Sequence, residues 1–300
     1  MSVRLVHLTD PHLSSLDGLS WWSLQGKRRL GYLSWRCKRR HQLRMDTLER
    51  VTAAAIAERG DLAVVTGDLV HLGLADELRA ARRWLETLSR AQPVLLVPGN
   101  HDCYRADSWA QVEQQLGPFT AGAAAASAGM PSLVRIGDVA VIGLWSARPM
   151  PWWSAGGWLG ATQLRALHEL LQQTAGSFRC ILLHHAPLEE QAPPRKALQD
   201  AAALRAMLSR HGVELVLHGH LHHNDVRLLD LRARVMVTAP ASSAVPANPA
   251  AYRVIDIAGD AAGWQVNCEL KVLGADGAVR HENRDSWSVA RHTAALSADG

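Results

Sequence analysis

The hydrophobic positions of the chain form short apolar runs that alternate with longer stretches of helical periodicity. The runs are rich in Val, Leu and Ile and are closed by turn or polar residues, which is typical of buried strands. They occupy residues 3–8, 62–65, 94–97, 139–144, 180–183 and 213–217. Apolar residues at helical spacing predict helices at 41–59, 78–88, 108–116, from 162 onward and at 201–210. This alternation predicts an α/β fold whose largely parallel sheet is covered by helices.

The pattern changes near residue 225, after which strand-like runs follow one another without helices between them. They lie at 226–231, 234–238, 252–257 and 264–272 and predict a second, more antiparallel sheet. From about residue 274 the sequence is polar, which predicts a loosely held tail. We therefore predict one domain over residues 1–273, with an insert at about 14–40, and a tail over 274–300.

The composition is that of a globular protein with a large core, since 48% of the 300 residues are hydrophobic and 20% are charged. No apolar run approaches the length of a membrane span. A strand-like run begins almost at the initiator Met and leaves no room for a signal peptide, so a cytoplasmic location is expected. The four cysteines lie far apart without a CxxC pair. Reduced thiols are therefore expected, and a Cys-based zinc site is not.

Polar side chains that can bind metal follow five of the apolar runs. They are Asp10 and His12, Asp68, Asn100, His184, and His220 with His222. Because the carboxyl ends of parallel strands meet at one edge of a sheet, these side chains are expected to converge. By itself, Asn100-His101-Asp102 reads equally well as an ordinary turn. The recurrence of such residues at successive strand ends favours a site.

The types of donor indicate which metals would bind. Seven oxygen and nitrogen donors without a thiolate suit two divalent ions, such as Mn, Fe, Zn or Co, better than one structural zinc. A dinuclear site needs a carboxylate that bridges the two ions. Asp68 is the candidate, because the preceding Gly67 permits a close approach of the backbone.

These motifs resemble those of the calcineurin-like metallophosphoesterases, and they occur in the order found in that family. The matching segments are Asp10-x-His12, Gly67-Asp68, Gly99-Asn100-His101-Asp102, the strand that ends at His184, and Gly219-His220-Leu221-His222. Each motif is weak alone, but the ordered set is specific and covers residues 3 to about 257. The resemblance implies a four-layer α/β/β/α sandwich of two mixed sheets with helices on the outside, and an enzyme with a dinuclear metal site.

The resemblance also implies a role for each matching residue. The first metal would be bound by Asp10, His12, Asp68 and His222, and the second by Asp68, Asn100, His184 and His220. Mn is the favoured metal, and a hydroxide between the ions would attack phosphorus. His101 would face the leaving oxygen, with Asp102 orienting its imidazole from behind. A scaffold without activity should have lost ligands, and this sequence retains all of them.

The insert carries the main clue to the substrate. Between Leu19 and Met45 there are eight Lys or Arg residues and no acidic residue. Three interpretations stay open: a solvated basic face, a nucleic-acid-binding surface, or a surface for an anionic membrane formed by residues 21–44. We favour the membrane, on its inner face, because the aromatic residues are mainly Trp, and we do not expect a nucleic-acid partner.

Residues 27–36 also resemble an insert of the bacterial enzymes that hydrolyse UDP-2,3-diacylglucosamine. This resemblance implies a lipid-linked pyrophosphate as the phosphoester substrate. We expect substrate contacts from Arg28, Arg29 and Trp35 of the insert, and from Trp152 and Trp153 of a second Trp-rich loop. The alternative substrate is a 3′,5′-cyclic nucleotide, since class III cyclic-nucleotide phosphodiesterases are similar in the motifs. A scaffold or a nucleic-acid-binding module is the alternative of another class.

Overall fold

The computed structural model of the protein describes residues 2–13, 16–120 and 131–291. Within these residues the strands form two six-stranded sheets and one short hairpin. The strands are β1 Ser2–Leu8, β2 Leu62–Val65, β3 Val94–Leu96, β4 Ser132–Ile136, β5 Val139–Gly143, β6 Phe178–Leu182, β7 Leu215–His218, β8 Asp225–Leu228, β9 Arg234–Val237, β10 Ala244–Val245, β11 Asn248–Pro249, β12 Ala251–Gly259, β13 Gly263–Leu273 and β14 Val279–Ala290.

The helices cover the outer faces of the sheets, apart from those in the insert. They are α1 Lys27–Ser34, α2 Arg40–Gln42, α3 Met45–Ala57, α4 Ala75–Ser89, α5 Ala106–Thr120, α6 Ala161–Gln173 and α7 Ala201–His211. A π-helical segment, Trp35–Arg39, joins α1 to α2, and a 3₁₀ turn, Pro194–Lys196, precedes α7. Every described helix is too short or too polar to cross a lipid bilayer.

Each sheet has a parallel centre. The strand order is β14-β13-β12-β1-β2-β3 in the first sheet and β4-β5-β6-β7-β9-β8 in the second. Strands β1, β2 and β3 are parallel to one another, as are β5, β6, β7 and β9. The outer pairings of both sheets are antiparallel. Both sheets are therefore mixed, as the resemblance implied. The predicted separate antiparallel sheet after residue 225 was wrong, because β8 and β9 extend the second sheet while β12 and β13 extend the first.

The period-two alternation of the strands divides the core into layers. Leu5 and Val64 of the first sheet pack against residues of the second sheet such as Leu182. Their neighbours along the chain point the other way, so that Val65 packs with α3 and α4. Residues on the far face of the second sheet, such as Ile181, pack with α6 and α7. This arrangement confirms the predicted α/β/β/α sandwich.

The predicted loose tail was wrong over the twelve residues of β14, which pair with β13 at the edge of the first sheet. Trp287 and Val289 are buried in the layer between the sheets, while the residues that alternate with them are exposed. The segment looks polar because only alternate positions face the core. Residues 292–300 of the predicted tail lie outside the described residues.

The predicted helix at 41–59 is interrupted near its start. Arg44 has extended backbone dihedrals, φ −126° and ψ 140°, and its N–H donates to Ser242 O at 2.8 Å. Leu43 forms an isolated bridge with Ser243. The backbone at this point therefore pairs with the loop before β10, and α3 begins only at Met45.

Candidate metal centre

The loops that follow the central strands bring the predicted ligands together. Asp10 and His12 follow β1, Asp68 follows β2 and Asn100 follows β3, while His184 follows β6 and His220 and His222 follow β7. Backbone bonds join these loops: Asp10 N–H donates to Gly67 O at 3.0 Å, and Gly219 N–H donates to His184 O at 3.1 Å. His184 Nδ1 also lies 2.7 Å from Thr66 O, so the loops of both sheets meet at one edge of the sandwich.

The backbone conformation of these loops is unusual. Positive φ occurs at six described residues other than glycine, and five of them are predicted ligands: Asp10, His12, Asp68, His220 and His222. Asp and His adopt a positive φ more readily than most other residues with a side chain, but this conformation still costs energy. Strained backbone at five residues of one cluster is typical of a functional site.

Two glycines allow the loops to approach one another. A Cβ atom at Gly67, whose φ is 80°, would collide with the backbone of Gly99. A Cβ atom at Gly219 would collide with the Thr9 hydroxyl and with the Asp10 carboxylate. The Gly-Asp and Gly-His motifs therefore pair a ligand with the small residue that its position requires.

Two overlapping groups of side chains could each hold a metal ion. Ligand atoms of Asp10, His12, Asp68 and His222 lie within 4.8 Å of one another, and so do those of Asp68, His184 and His220. Asn100 belongs beside the second group, because its Oδ1 lies 3.2 Å from His184 Nε2. Asp68 is common to both groups, which is the geometry expected of a bridging carboxylate.

The chemistry of the donors fits divalent cations. His12 and His184 each place Nδ1 at a backbone carbonyl, Val70 O at 3.0 Å and Thr66 O at 2.7 Å, so Nδ1 donates and Nε2 is the ring nitrogen that faces the centre. Within the described part of the chain, Asp10 Oδ1 and His220 Nε2 are buried without a hydrogen-bond partner, and Asp10 Oδ1 faces His222 Nε2 at 3.2 Å. Such orphaned buried atoms are costly unless a ligand satisfies them, and both point to a cation.

Burial and the charges of neighbouring side chains set the protonation states of the predicted ligands. Burial alone would raise the pKa of Asp68, but the imidazoles of His184 and His101 outweigh it and hold this pKa well below the ordinary value. Burial and neighbouring imidazoles lower the pKa values of His12 and His220 well below that of an ordinary histidine. At neutral pH the centre therefore offers an ionised carboxylate and neutral imidazoles at His12 and His220. His184 differs: burial lowers its pKa, but the Asp68 carboxylate outweighs burial and raises this pKa to about 9, so a metal ion would have to displace its proton.

His101 lies next to the centre, and its ring centroid is 5.3 Å from that of His12. Its Nδ1 is 2.6 Å from His71 O, and since a carbonyl only accepts, the ring proton is on Nδ1. Burial and then the Arg39 guanidinium lower the pKa of His101 to about 3. His101 is therefore neutral at pH 7, and its Nε2 carries a lone pair.

The predicted role of Asp102 as the partner of His101 was wrong. Asp102 Oδ2 accepts from Gly99 N–H at 2.7 Å, and its Oδ1 accepts from Val70 N–H at 3.2 Å. The carboxylate thus ties the loop after β2 to the loop after β3. The His71 carbonyl, rather than Asp102, orients His101, because the side chain at 102 turns back toward its own loop.

Three residues of the insert that were predicted to contact the substrate make contacts within the fold. The Arg28 guanidinium donates to Leu72 O, Gly73 O, Ser108 Oγ and Asp107 Oδ2, so its hydrogen-bonding capacity is used within the fold. Arg29 Nε donates to Leu24 O at 2.8 Å. Trp35 is only 3% exposed and packs in a cluster with Tyr32 and Tyr104. These side chains anchor the insert, because its amphipathic helix needs an inner face.

The second Trp-rich loop differs, because Trp152 and Trp153 are 65% and 63% exposed. The insert contacts this loop directly: Lys27 Nζ donates to Met150 O and to Ser154 O, both at 3.4 Å. The Ala155 carbonyl lies 3.2 Å from Nε2 of His185, the neighbour of a predicted ligand. The backbone of this loop therefore borders the centre, and substrate contact by Trp152 and Trp153 stays a prediction.

Sequence reasoning missed two cations near the centre. Arg39 Nη1 lies 3.3 Å from His101 Nδ1, and Lys196 comes from the 3₁₀ turn before α7. Burial lowers the pKa of Lys196, while Asp10 and Asp68 act in the opposite direction. The run of basic residues identified the insert as a whole. Which of these residues points inward depends on its position around the helix, and the sequence does not show this.

A family model described as calcineurin-like phosphoesterase matches residues 3–224. The glycerophosphodiester phosphodiesterase GpdQ of Enterobacter lignolyticus is 27% identical to this chain over 194 residues. The match covers 62% of this chain and 64% of that relative, so it spans less than two thirds of the relative's length.

Two solved structures have a similar fold. A dimetal phosphatase from Danio rerio has a TM-score of 0.62 and 14% identity, covering 97% of this chain and 99% of its own. A purple acid phosphatase, PPD1, from yellow lupin seeds has a TM-score of 0.60 and 13% identity, covering 97% of this chain and 54% of its own. At such low identity these likenesses show the fold alone. Because the family model spans most of the sequence and includes its metal-binding motifs, the chain belongs to the calcineurin-like phosphoesterase family.

Proposed function

We propose that the chain is a metal-dependent hydrolase of phosphodiester or pyrophosphate bonds, with a lipid-linked nucleotide such as UDP-2,3-diacylglucosamine as its substrate. The observation that carries the reaction class is the pair of ligand groups that share Asp68. Family membership and the phosphodiesterase named as a relative support the same class. The lipid-linked substrate rests on the surface around the centre.

In this proposal seven side chains hold two divalent ions, with Mn as the favoured metal. They are Asp10, His12, Asp68, Asn100, His184, His220 and His222. Two such ions would lower the pKa of a bound water molecule, and their positive charge would stabilise the phosphoryl oxygens. Asp68 belongs to both ligand groups, so it would take part in holding both ions.

His101 would orient the substrate beside the ions. The neutral His101 presents Nε2 near the centre, and the Tyr104 ring stacks on its imidazole with centroids 5.6 Å apart. The backbone N–H of His101 donates to Asp68 Oδ1 at 2.7 Å, so the imidazole and the bridging carboxylate are held as one unit. His101 is therefore suited to accept a hydrogen bond from a protonated phosphoryl oxygen or from water.

Exposed apolar and basic residues support an amphiphilic substrate. On the insert, Trp22 is 82% exposed, and Leu30 and Leu33 are about half exposed. Arg36, Lys38 and Arg40 are exposed in the adjoining turns. Trp and Leu beside cations suit the headgroup region of an anionic membrane. The proposed membrane contact through residues 21–44 and the cytoplasmic location stay predictions.

A hydrolysis panel with Mn²⁺ tests the proposed substrate. The panel contains UDP-2,3-diacylglucosamine, a glycerophosphodiester, 3′,5′-cyclic AMP, single-stranded DNA and a simple phosphomonoester. We expect UDP-2,3-diacylglucosamine to have the highest kcat/KM. A higher value for the cyclic nucleotide or for the glycerophosphodiester would contradict the lipid assignment while leaving the reaction class intact. Activity that persists in Asp68→Asn would contradict the proposed metal chemistry.

Vesicle binding tests the membrane contact separately. The double variant Trp22→Ser, Leu33→Ser removes apolar side chains that lie outside the core, so the fold should persist. We expect it to lose co-sedimentation with anionic phospholipid vesicles, because membrane binding scales with buried apolar area. The control variant Leu231→Ser removes an exposed side chain on the second sheet's edge turn and should bind like wild type. Equal binding by both variants would refute the contact.

A further inference from the structure

The Arg39 guanidinium faces the centre, and the nearest polar atom, on His101, does not accept a hydrogen bond from it. Its Nη1 lies 3.3 Å from His101 Nδ1, but that nitrogen donates to His71 O at 2.6 Å. A guanidinium only donates, so the two N–H groups oppose one another and no hydrogen bond forms between them. Within the described ranges, the ion pairs found do not involve Arg39. A partly buried guanidinium in this position is suited to an anion.

The backbone holds Arg39 in this orientation. Arg39 ends the π-helical segment, where the N–H of Arg40 reaches back to the carbonyl of Trp35. The Trp35 ring lies 5.7 Å from that of Tyr32 in the buried cluster, so the start of the segment is fixed. A π-turn adds one residue to the helical phase, and such turns are frequent at functional sites. The inward direction of Arg39 thus follows from the anchoring of Trp35.

Lys196 supplies a second cation from another part of the fold. Its turn is fixed by backbone bonds on both sides, since Ala155 N–H donates to Arg195 O at 2.9 Å and Gly157 N–H donates to Ala197 O at 3.1 Å. Asp10 and Asp68 attract the Lys196 ammonium, and Arg39 repels it. The turn that carries Lys196 lies beside the centre, because Ala155 O is 3.2 Å from His185 Nε2 and the His185 ring is 4.7 Å from that of the predicted ligand His220. The same centre contains the carboxylates of Asp10 and Asp68.

Ions bound at the centre would neutralise those carboxylates and leave the two cations uncompensated. We infer that Arg39 and Lys196 form a subsite for a second phosphate of the substrate, beside the phosphoryl group that is attacked. The substrate class is then a phosphoanhydride rather than a simple diester. This inference rests on the proposed function and deepens it, because it separates pyrophosphate-linked substrates from diesters that carry one phosphate.

Binding of two phosphonates tests the subsite without catalysis. Methylenediphosphonate carries two non-hydrolysable phosphoryl groups, and methylphosphonate carries one. The Kd values of both are measured by calorimetry with the Mn²⁺-loaded protein. We expect wild type to prefer methylenediphosphonate, and Arg39→Gln to lose roughly 10- to 100-fold in affinity for it, the usual range for one charged hydrogen-bonding partner. Arg39→Lys should retain part of that affinity.

The matched control is Lys38→Gln, which removes an exposed cation from the same π-helical segment. It should bind both probes like wild type. The inference is overturned if wild type binds the two phosphonates equally, or if Arg39→Gln weakens both by the same factor. Equal losses in Arg39→Gln and Lys38→Gln would also overturn it, because they would reflect net charge alone.

A kinetic comparison separates failure of the subsite from failure of the proposed function. The probes are UDP-N-acetylglucosamine, which contains a pyrophosphate, and bis(p-nitrophenyl) phosphate, which has a single phosphate. We expect Arg39→Gln to lower kcat/KM for the first at least tenfold more than for the second. Wild-type protein that hydrolyses neither probe would contradict the proposed function, whereas equal losses on both probes would contradict only the subsite.

Discussion

The shared position of Asp68 leads to a quantitative prediction about metal content. Asp10 belongs to the first ligand group and Asn100 lies beside the second, while Asp68 belongs to both. We therefore expect Asp10→Asn and Asn100→Ala each to lose one ion of two. Asp68→Asn should bind neither ion tightly, because it removes the bridging charge from both groups.

The size of the expected shift in Tm follows from the coupling between metal binding and folding. An ion present at a hundredfold above its Kd stabilises the folded state by about 2.7 kcal/mol. For a domain of this size, an increase of about 1 kcal/mol in the free energy of unfolding raises Tm by about 2 °C. Wild type should therefore gain about 10 °C with saturating Mn²⁺, each single-group variant about 5 °C, and Asp68→Asn almost nothing.

The assay combines thermal unfolding with elemental analysis of bound metal. Asp10→Asn keeps the local shape, since an amide oxygen can accept the bonds that Asp10 Oδ2 receives from Thr9 Oγ1 and His220 N–H, at 2.7 and 3.1 Å. The control Glu282→Gln removes an exposed carboxylate far along the chain and should behave as wild type. If Asp10→Asn and Asn100→Ala each abolish all metal binding, the two-group reasoning is refuted.

Three further predictions concern residues around the centre and the core. Trp287→Ala should lower the free energy of unfolding by about 3–5 kcal/mol in urea titrations, because Trp287 fills the layer between the sheets. Asp102→Ala should cost about 2–6 kcal/mol, since it leaves the buried N–H groups of Val70 and Gly99 unsatisfied, and it should lower activity without changing the pH profile. Burial raises the pKa of Glu214 to about 7 from 4.5, so wild type should lose stability relative to Glu214→Gln as pH rises from 4.5 to 7.

Each of these predictions can fail in a distinct way. Unchanged urea midpoints in Trp287→Ala would mean that β14 adds nothing to the core. A shifted pH profile in Asp102→Ala, with little loss of stability, would restore the predicted pairing with His101. For Glu214 the sign is fixed: a raised carboxyl pKa favours the protonated folded state, so a stability difference that grows with falling pH below 4.5 would contradict it.

The sequence determined the fold class and the candidate ligands, because both depend on local order along the chain. Fully apolar runs identify parallel central strands, and a polar residue after such a run must lie at the carboxyl edge of the sheet. Gly67 and Gly219 added a further local signal, since each precedes a ligand whose loop has no room for a Cβ atom. The ordered motifs then indicated the family, which the family model confirms.

Tertiary structure alone decided which side chains face the centre and which serve the fold. Arg28 and Arg39 belong to the same basic run, yet Arg28 bonds within the fold and Arg39 points to His101. Asp102 adjoins His101 in sequence but turns toward Gly99 and Val70. The polar appearance of β14 likewise conceals an inner face. Side-chain direction depends on helical phase, on strand pairing and on partners distant in sequence, and composition and spacing do not contain that information.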